Sequence, residues 1–259
     1  MKTEMSGNVF KDGEGQSRTQ RINQGDVEST VKYLEGITGL PLTDNMLGTT
    51  GRKPSSGDLD LAVDEKTTSK SQLESKLKAY AEKSGLENAV AKSGISVHFL
   101  TPINGDPDNG FVQTDFMFGD PEWMKFSMAG EYGEDGIRGQ HRHILLNSIG
   151  KARVSDDYPQ GLKWSYNKGL VDRATDEVIT KDPNTIAKML LGQTATAEIA
   201  MSFPKIMNFI KKLPNYKELT ADARETLAKH GIEIPDHSQV ESYQPGTIGW
   251  MRQMIDIVS

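Results

Sequence analysis

The sequence contains no cysteine. Disulfide scaffolds, thiolate zinc sites and cysteine nucleophiles are thereby excluded. Long apolar runs are missing too. The longest are of the kind Met189-Leu190-Leu191, and mean hydropathy is −0.54, which excludes a membrane-spanning segment of this composition. The first residues, Met1-Lys2-Thr3-Glu4-Met5, lack an apolar signal core, so the expected location is cytoplasmic. Positive charge is not in excess: 30 Lys and Arg stand against 36 Asp and Glu, for a net charge of −6. That argues against coating nucleic acid by bulk charge and leaves open a small basic site on an acidic body. No Gly-x-x-x-x-Gly-Lys-Ser/Thr loop is present, which removes the P-loop ATPases. No Gly-x-Ser-x-Gly elbow surrounds Ser55 or Ser56, so neither is supported as a hydrolase nucleophile.

What is present is a globular composition. The 259 residues are 36% hydrophobic and 25% charged, enough for one large domain or two small ones around a substantial core. Residues 1–25, rich in Gly, Ser, Gln and charge, read as a flexible or extended lead-in with one apolar pair, Val9-Phe10. Val27, Val31, Leu34 and Ile37 recur at helical spacing, with Asp26 placed to cap that helix. A strand is expected at residues 59–63, an amphipathic helix over 70–92, an alternating strand at 95–100 and a third strand over 111–118. Residues 140–152 read as a helix, and 169–173 with 177–180 as a hairpin. From Asn184 onward the pattern is helical. The expected fold is therefore α/β (α+β): an α/β domain over residues 26–182, built on a mixed twisted sheet with flanking helices, and a helical region over 183–259.

Chemistry concentrates between Leu47 and Leu61. In Asp58-Leu59-Asp60-Leu61 the two carboxylates are two residues apart, so on a strand both project from one face while Leu59 and Leu61 project from the other. Carboxylates that close repel, a cost that a proton or a cation removes, and hard cations such as Mg²⁺ favour oxygen ligands. Gly48, Gly51 and Gly57 permit sharp turns before the pair. Thr49, Thr50, Ser55 and Ser56 offer hydroxyls, and Arg52 and Lys53 offer positive charge, as a polyphosphate cradle would. Asp115 stands among apolar residues on the third strand, where a carboxylate needs a partner or a metal. If that strand neighbours the first, three carboxylates converge. Otherwise Asp58 and Asp60 are turn and edge residues of a solvated loop.

This ordered set resembles the DNA polymerase β nucleotidyltransferase superfamily. The features that carry the resemblance are Gly48-Thr49, then Ser56-Gly57-Asp58-Leu59-Asp60-Leu61, then Asp115 on a later strand, within residues 26–120. Thr49 stands where serine is commoner, and a hydroxyl is retained. The resemblance implies that Asp58 and Asp60 bind a pair of Mg²⁺ ions, with Mn²⁺ as a substitute. Asp115 would bind the catalytic ion and help deprotonate an acceptor hydroxyl, while Gly48 and Thr49 contact the triphosphate. The substrate would be a nucleoside triphosphate such as ATP. The acceptor would be an RNA or DNA 3′ end, a protein or a small molecule. The alternative is a non-catalytic nucleotide-binding or structural protein that keeps the fold.

A second candidate is basic. Residues 138–170 hold Arg138, Arg142, Lys151, Arg153, Lys163 and Lys168 and sum to +4, with Trp164 and Tyr166 among them. Arg142 and Lys151 are candidate triphosphate or polynucleotide contacts, with the aromatics available for stacking. An ordinary solvated helix accounts for the same residues. His141 and His143, two apart on a helix, diverge and do not make a metal pair. His98 on its strand reads as structural.

Overall fold

The computed structural model describes residues 8–129 and 139–236. Arg138 and the part of the helical region beyond 236 lie outside them. The chain is mixed α and β and divides into two compact units, residues 1–125 and 126–259. No helix among the described residues is long and apolar enough to cross a membrane.

The first unit opens with β1 (Ile22–Asn23) and runs directly into α1 (Gln24–Thr38). Val27, Val31 and Leu34 fall on one face of α1, and all three are buried. The helix begins earlier than the sequence suggests. Asn23 holds the cap position, and Asp26 sits in the first turn, where a negative charge complements the helix dipole. β2 (Ser55–Ser56) and β3 (Asp58–Asp64) follow, then α2 (Lys70–Lys83), closed at its start by a reciprocal Ser69–Gln72 capping box. The helix anticipated over 70–92 thus stops at Lys83. The residues after it form β4 (Val90–Ser93), then β5 (Ser96–Pro102) and β6 (Phe111–Gly119).

The four main strands lie in the order β3-β6-β5-β4. β3 and β6 run parallel, and the other two pairings are antiparallel. Leu59, Leu61 and Val63 of β3, Phe116 of β6 and Val97 and Phe99 of β5 form one core with Val27, Val31 and Leu34 of α1 and Leu73 and Leu77 of α2. Both helices therefore pack on the face of the sheet that carries these leucines. Strand alternation sends Asp58 and Asp60 away from that packing, to the opposite face.

The lead-in is not the free segment its composition suggests. Phe10 and Ile22 are both buried in this core. Asp12 closes a tight turn through its carboxylate, and Lys11 pairs with Ser17 across it. Two apolar side chains anchor an otherwise polar segment, which average composition conceals.

After α3 (Pro121–Ser127), the second unit contains α4 (Gly139–Lys151) and a three-stranded antiparallel sheet of β7 (Leu162–Ser165), β8 (Gly169–Asp172) and β9 (Val178–Thr180). Four helices follow: α5 (Pro183–Leu191), α6 (Ala197–Ala200), α7 (Phe203–Ile210) and α8 (Tyr216–Lys229). The expected boundary at residue 182 is displaced to 125. The physical reason is that α4 packs on both β7 and α8, so the small sheet and the late helices share one unit.

Candidate active site

Two hydrogen bonds lace the turn before β3 to the strand itself. The Leu47 amide donates to the Asp60 carbonyl at 2.8 Å, and the Asp60 amide donates to Thr50 Oγ1 at 3.0 Å. Gly48 and Gly51 take positive φ values of 58° and 72°, which the turn between these bonds requires. Thr50 is buried and engaged in holding β3. Thr49 and Gly48 are half-buried beside it, and Arg52 is exposed with Lys53 next to it. The sequence offered both threonines as a cradle, and the structure gives Thr50 a supporting place.

Strand register does the rest. In the parallel β3–β6 pair, Asp60 lies opposite Asp115 and Asp58 opposite Gln113. Carboxylate oxygens of Asp58, Asp60 and Asp115 all lie within 4.8 Å of one another. Asp115 is buried, and the other two are half-buried. Burial first, then the charges of Asp58 and Asp115, hold the Asp60 carboxyl well above the ordinary carboxylate range. Repulsion of this kind is what a cation with oxygen ligands would relieve. The donor set, three carboxylates with no nitrogen or sulfur, suits Mg²⁺ or Mn²⁺.

Asp115 has partners that sequence reasoning missed. His98 lies opposite it in the antiparallel β5–β6 register, and His98 Nδ1 donates to Asp115 Oδ1 at 2.7 Å. Gln113 Nε2 donates to the same oxygen at 2.9 Å, and its own Oε1 accepts the Val9 amide at 2.9 Å. Ser93 Oγ lies 2.7 Å from His98 Nε2. Alternation identified the faces of these strands, but only the pairing across 17 residues shows that His98 faces Asp115.

The serines before β3 are enlisted by the lead-in. β1 pairs with β2, setting Ile22 opposite Ser56 and Asn23 opposite Ser55. Arg21 Nε donates to Ser55 Oγ at 3.0 Å, and Arg21 Nη2 donates to the Ser55 carbonyl at 2.8 Å. Gln24 reaches the same loop, donating to the carbonyls of Pro54 and Gly51. Ser56 is buried in that strand pair. These contacts hold the loop that delivers Asp58, and Ser55 and Ser56 are parts of it rather than exposed hydroxyls.

Arg142 and Lys151 belong to the other unit, and each has protein partners there. Arg142 is buried, donating through Nη1 to the Met201 carbonyl at 3.0 Å and through Nη2 to the carbonyls of Phe126 and Ser127. Its guanidinium also lies over the Trp164 ring. A planar fork with several donors suits three converging carbonyls, so the helix hides this cation where its charge pattern suggested exposure. Lys151 is exposed and pairs with Asp222 at 2.5 Å. His143 stacks on Tyr166 at 3.6 Å between ring centres, and its pKa is lowered to about 3, chiefly by burial. His141 meets His230 edge to face.

Comparison with protein-family models, with curated proteins and with solved structures returned no match to this chain. A function is therefore sought in its own residues.

Proposed function

We propose that this chain is a metal-dependent nucleotidyltransferase of the DNA polymerase β-like kind. It would move a nucleoside monophosphate from a nucleoside triphosphate to an acceptor hydroxyl on a nucleic-acid 3′ end, a protein or a small molecule. The observation that carries this reading is the in-register facing of Asp60 and Asp115 with Asp58 beside them, three carboxylates within 4.8 Å on the face of a mixed sheet opposite α1 and α2. The glycine turn laced to Asp60 supports the same reading.

Asp58, Asp60 and Asp115 would hold Mg²⁺, and the bound ions would offset the negative charge of the triphosphate and of the leaving pyrophosphate. Asp115 would accept the proton of the acceptor hydroxyl as its oxygen attacks the α-phosphorus. One phosphorus–oxygen bond forms there, the bond to the bridging oxygen breaks, and pyrophosphate leaves with that electron pair. The backbone at Gly48 and Thr49, beside Asp60, would orient the phosphates. Rigid placement on paired strands supplies the positioning on which such a transfer depends.

The test is incubation with Mg²⁺ and each α-³²P-labelled nucleoside triphosphate, with total RNA, a DNA primer or the protein alone as acceptor. Label transferred by the wild type and lost in Asp58→Ala supports the proposal and identifies base and acceptor. Metal-dependent triphosphate binding by calorimetry, with no label transferred to any acceptor, would favour the binding-only alternative. Absence of both would overturn the reading of the site.

A further inference from the structure

A carboxylate carries two oxygens and can accept donors at each. At Asp115 both protein donors, His98 Nδ1 and Gln113 Nε2, land on Oδ1, at 2.7 and 2.9 Å. Among the described residues no hydrogen bond to Oδ2 accompanies them. The arrangement is fixed on both sides. The Val9 amide donates to Gln113 Oε1, which turns the other end of that side-chain amide, its NH₂, toward Asp115. The Ser93 hydroxyl at 2.7 Å from Nε2 does the equivalent for the His98 ring. His98, Gln113 and Asp115 are all at least nine-tenths buried, so none of these bonds competes freely with bulk water.

We infer that His98 and Gln113 are positioning residues that anchor Asp115 by Oδ1 and leave Oδ2 as its working oxygen for a divalent cation. The inference rests on the metal-site reading above and adds which residues set the site's geometry. A carboxylate on a buried strand retains rotation about its last bond. Two donors on one oxygen remove that freedom and aim the other oxygen in advance. Outer partners of this kind orient a metal ligand and commonly govern affinity by one to two orders of magnitude. The lead-in takes part, because the amide that orients Gln113 comes from Val9, about a hundred residues away in the chain.

The experiment is Mn²⁺ titration of the full-length protein by electron paramagnetic resonance, with thermal unfolding recorded for every variant. His98→Leu removes one donor, and Gln113→Met removes the other at similar volume. His98→Asn keeps a nitrogen donor near the position of Nδ1. The expected result is Mn²⁺ affinity weakened roughly 10–100-fold in His98→Leu and in Gln113→Met, and within a few fold of wild type in His98→Asn. Labelled transfer should lose kcat with little change in KM for the triphosphate. Should His98→Leu fail to fold, Gln113→Met carries the decision. Folded variants that bind Mn²⁺ like the wild type overturn the inference, as does a wild type that binds no Mn²⁺. Wild-type Mn²⁺ binding without nucleotidyl transfer would sink the proposed activity alone, leaving the anchoring of Asp115 to stand or fall on the variants' affinities.

Discussion

Each of the two units buries charge, and they treat it in opposite ways. In the second unit Arg142 is enclosed, and its guanidinium meets the carbonyl oxygens of Met201, Phe126 and Ser127. Arg173 likewise donates to the carbonyls of Asn147 and Leu162. Cations there face the negative ends of backbone dipoles, and local structure benefits. In the first unit, Asp60 is set opposite Asp115 with Asp58 alongside, so like charges face one another. His98 and Gln113 donate to Asp115, yet the facing of the carboxylates raises the free energy of the ionised site. A buried charge that its neighbours compensate serves the fold. The one that its neighbours aggravate is where the proposed metal ligands stand.

The sharpest way to break this contrast is Asp60→Asn. Metal-dependent transfer should fall on the order of 10³-fold, since a ligand and its charge are lost. In metal-free buffer the same change should stabilise the protein by about 1 kcal/mol, because repulsion with Asp58 and Asp115 is relieved. Scanning calorimetry with a chelator present reads this as a rise of roughly 2–4 °C in a chain of this size. Added Mn²⁺ should raise the Tm of the wild type and leave that of the variant nearly unmoved. A variant that melts lower than wild type without metal would show that the aspartates are ordinary structural residues.

The counterpart in the second unit is Arg142→Met. Removing the guanidinium takes the side-chain donor from three carbonyls, that of Ser127 in a buried contact, and urea unfolding should show a loss of roughly 3 kcal/mol. Arg142→Lys should recover only part of it, because one ammonium cannot reproduce the fork that spans three carbonyls. Under conditions where the variant stays folded, KM for a triphosphate should not change. A large rise in KM at unchanged stability would return Arg142 to the nucleotide and contradict its structural role.

The aspartates were legible because chemistry and period coincide: two carboxylates at i and i+2 among leucines share one face when the segment is a strand. The convergence of Asp115 was conditional on strand order, which depends on a parallel pairing across more than fifty residues and leaves no local trace. His98 and Gln113 were visible as strand residues and invisible as partners, since alternation assigns a face and not a neighbour. Arg142 was misread for the converse reason. Charge on an amphipathic helix usually means solvent, and here carbonyls from distant segments replace it. The lead-in was misread because Phe10 and Ile22 are diluted among polar residues although both are buried. β4 was lost within the helical pattern because its polar and half-buried residues carry no strong alternation.

A milder test uses pH and the His143–Tyr166 stack. Burial foremost, then Arg142 and Lys163, holds the His143 pKa down to about 3 from an ordinary value of 6.5. Tyr166 against it is pushed up to about 12 by burial, so it stays neutral, and Asn147 carries no charge. Above about pH 6.5 neither folded nor unfolded chain binds a proton there, and the contribution to stability is constant. Below it the unfolded chain gains a proton that the folded chain refuses, so stability is lost progressively as pH falls toward 3. At pH 5 the loss should reach about 2 kcal/mol relative to pH 7. His143→Phe keeps an aromatic ring against Tyr166 and cannot titrate, so its stability should fall about 2 kcal/mol less over that interval. Identical losses in both proteins would mean that the ring is accessible to water and protonates in place.

The smallest effect is expected at Lys151. Its ammonium is exposed and pairs with an equally exposed Asp222, and such pairs contribute little because solvent screens both charges. Lys151→Ala should change urea stability by less than about 0.5 kcal/mol. It should also leave KM for the triphosphate within about twofold, the shift that so small a free-energy change permits. This near-silent substitution sharpens the contrast because Lys151 is the accessible member of the two basic candidates in the second unit. If Lys151→Ala raises KM tenfold while stability holds, that unit binds nucleotide through its surface. The division between a unit that gathers carboxylates and a unit that compensates its charges would then no longer describe the molecule.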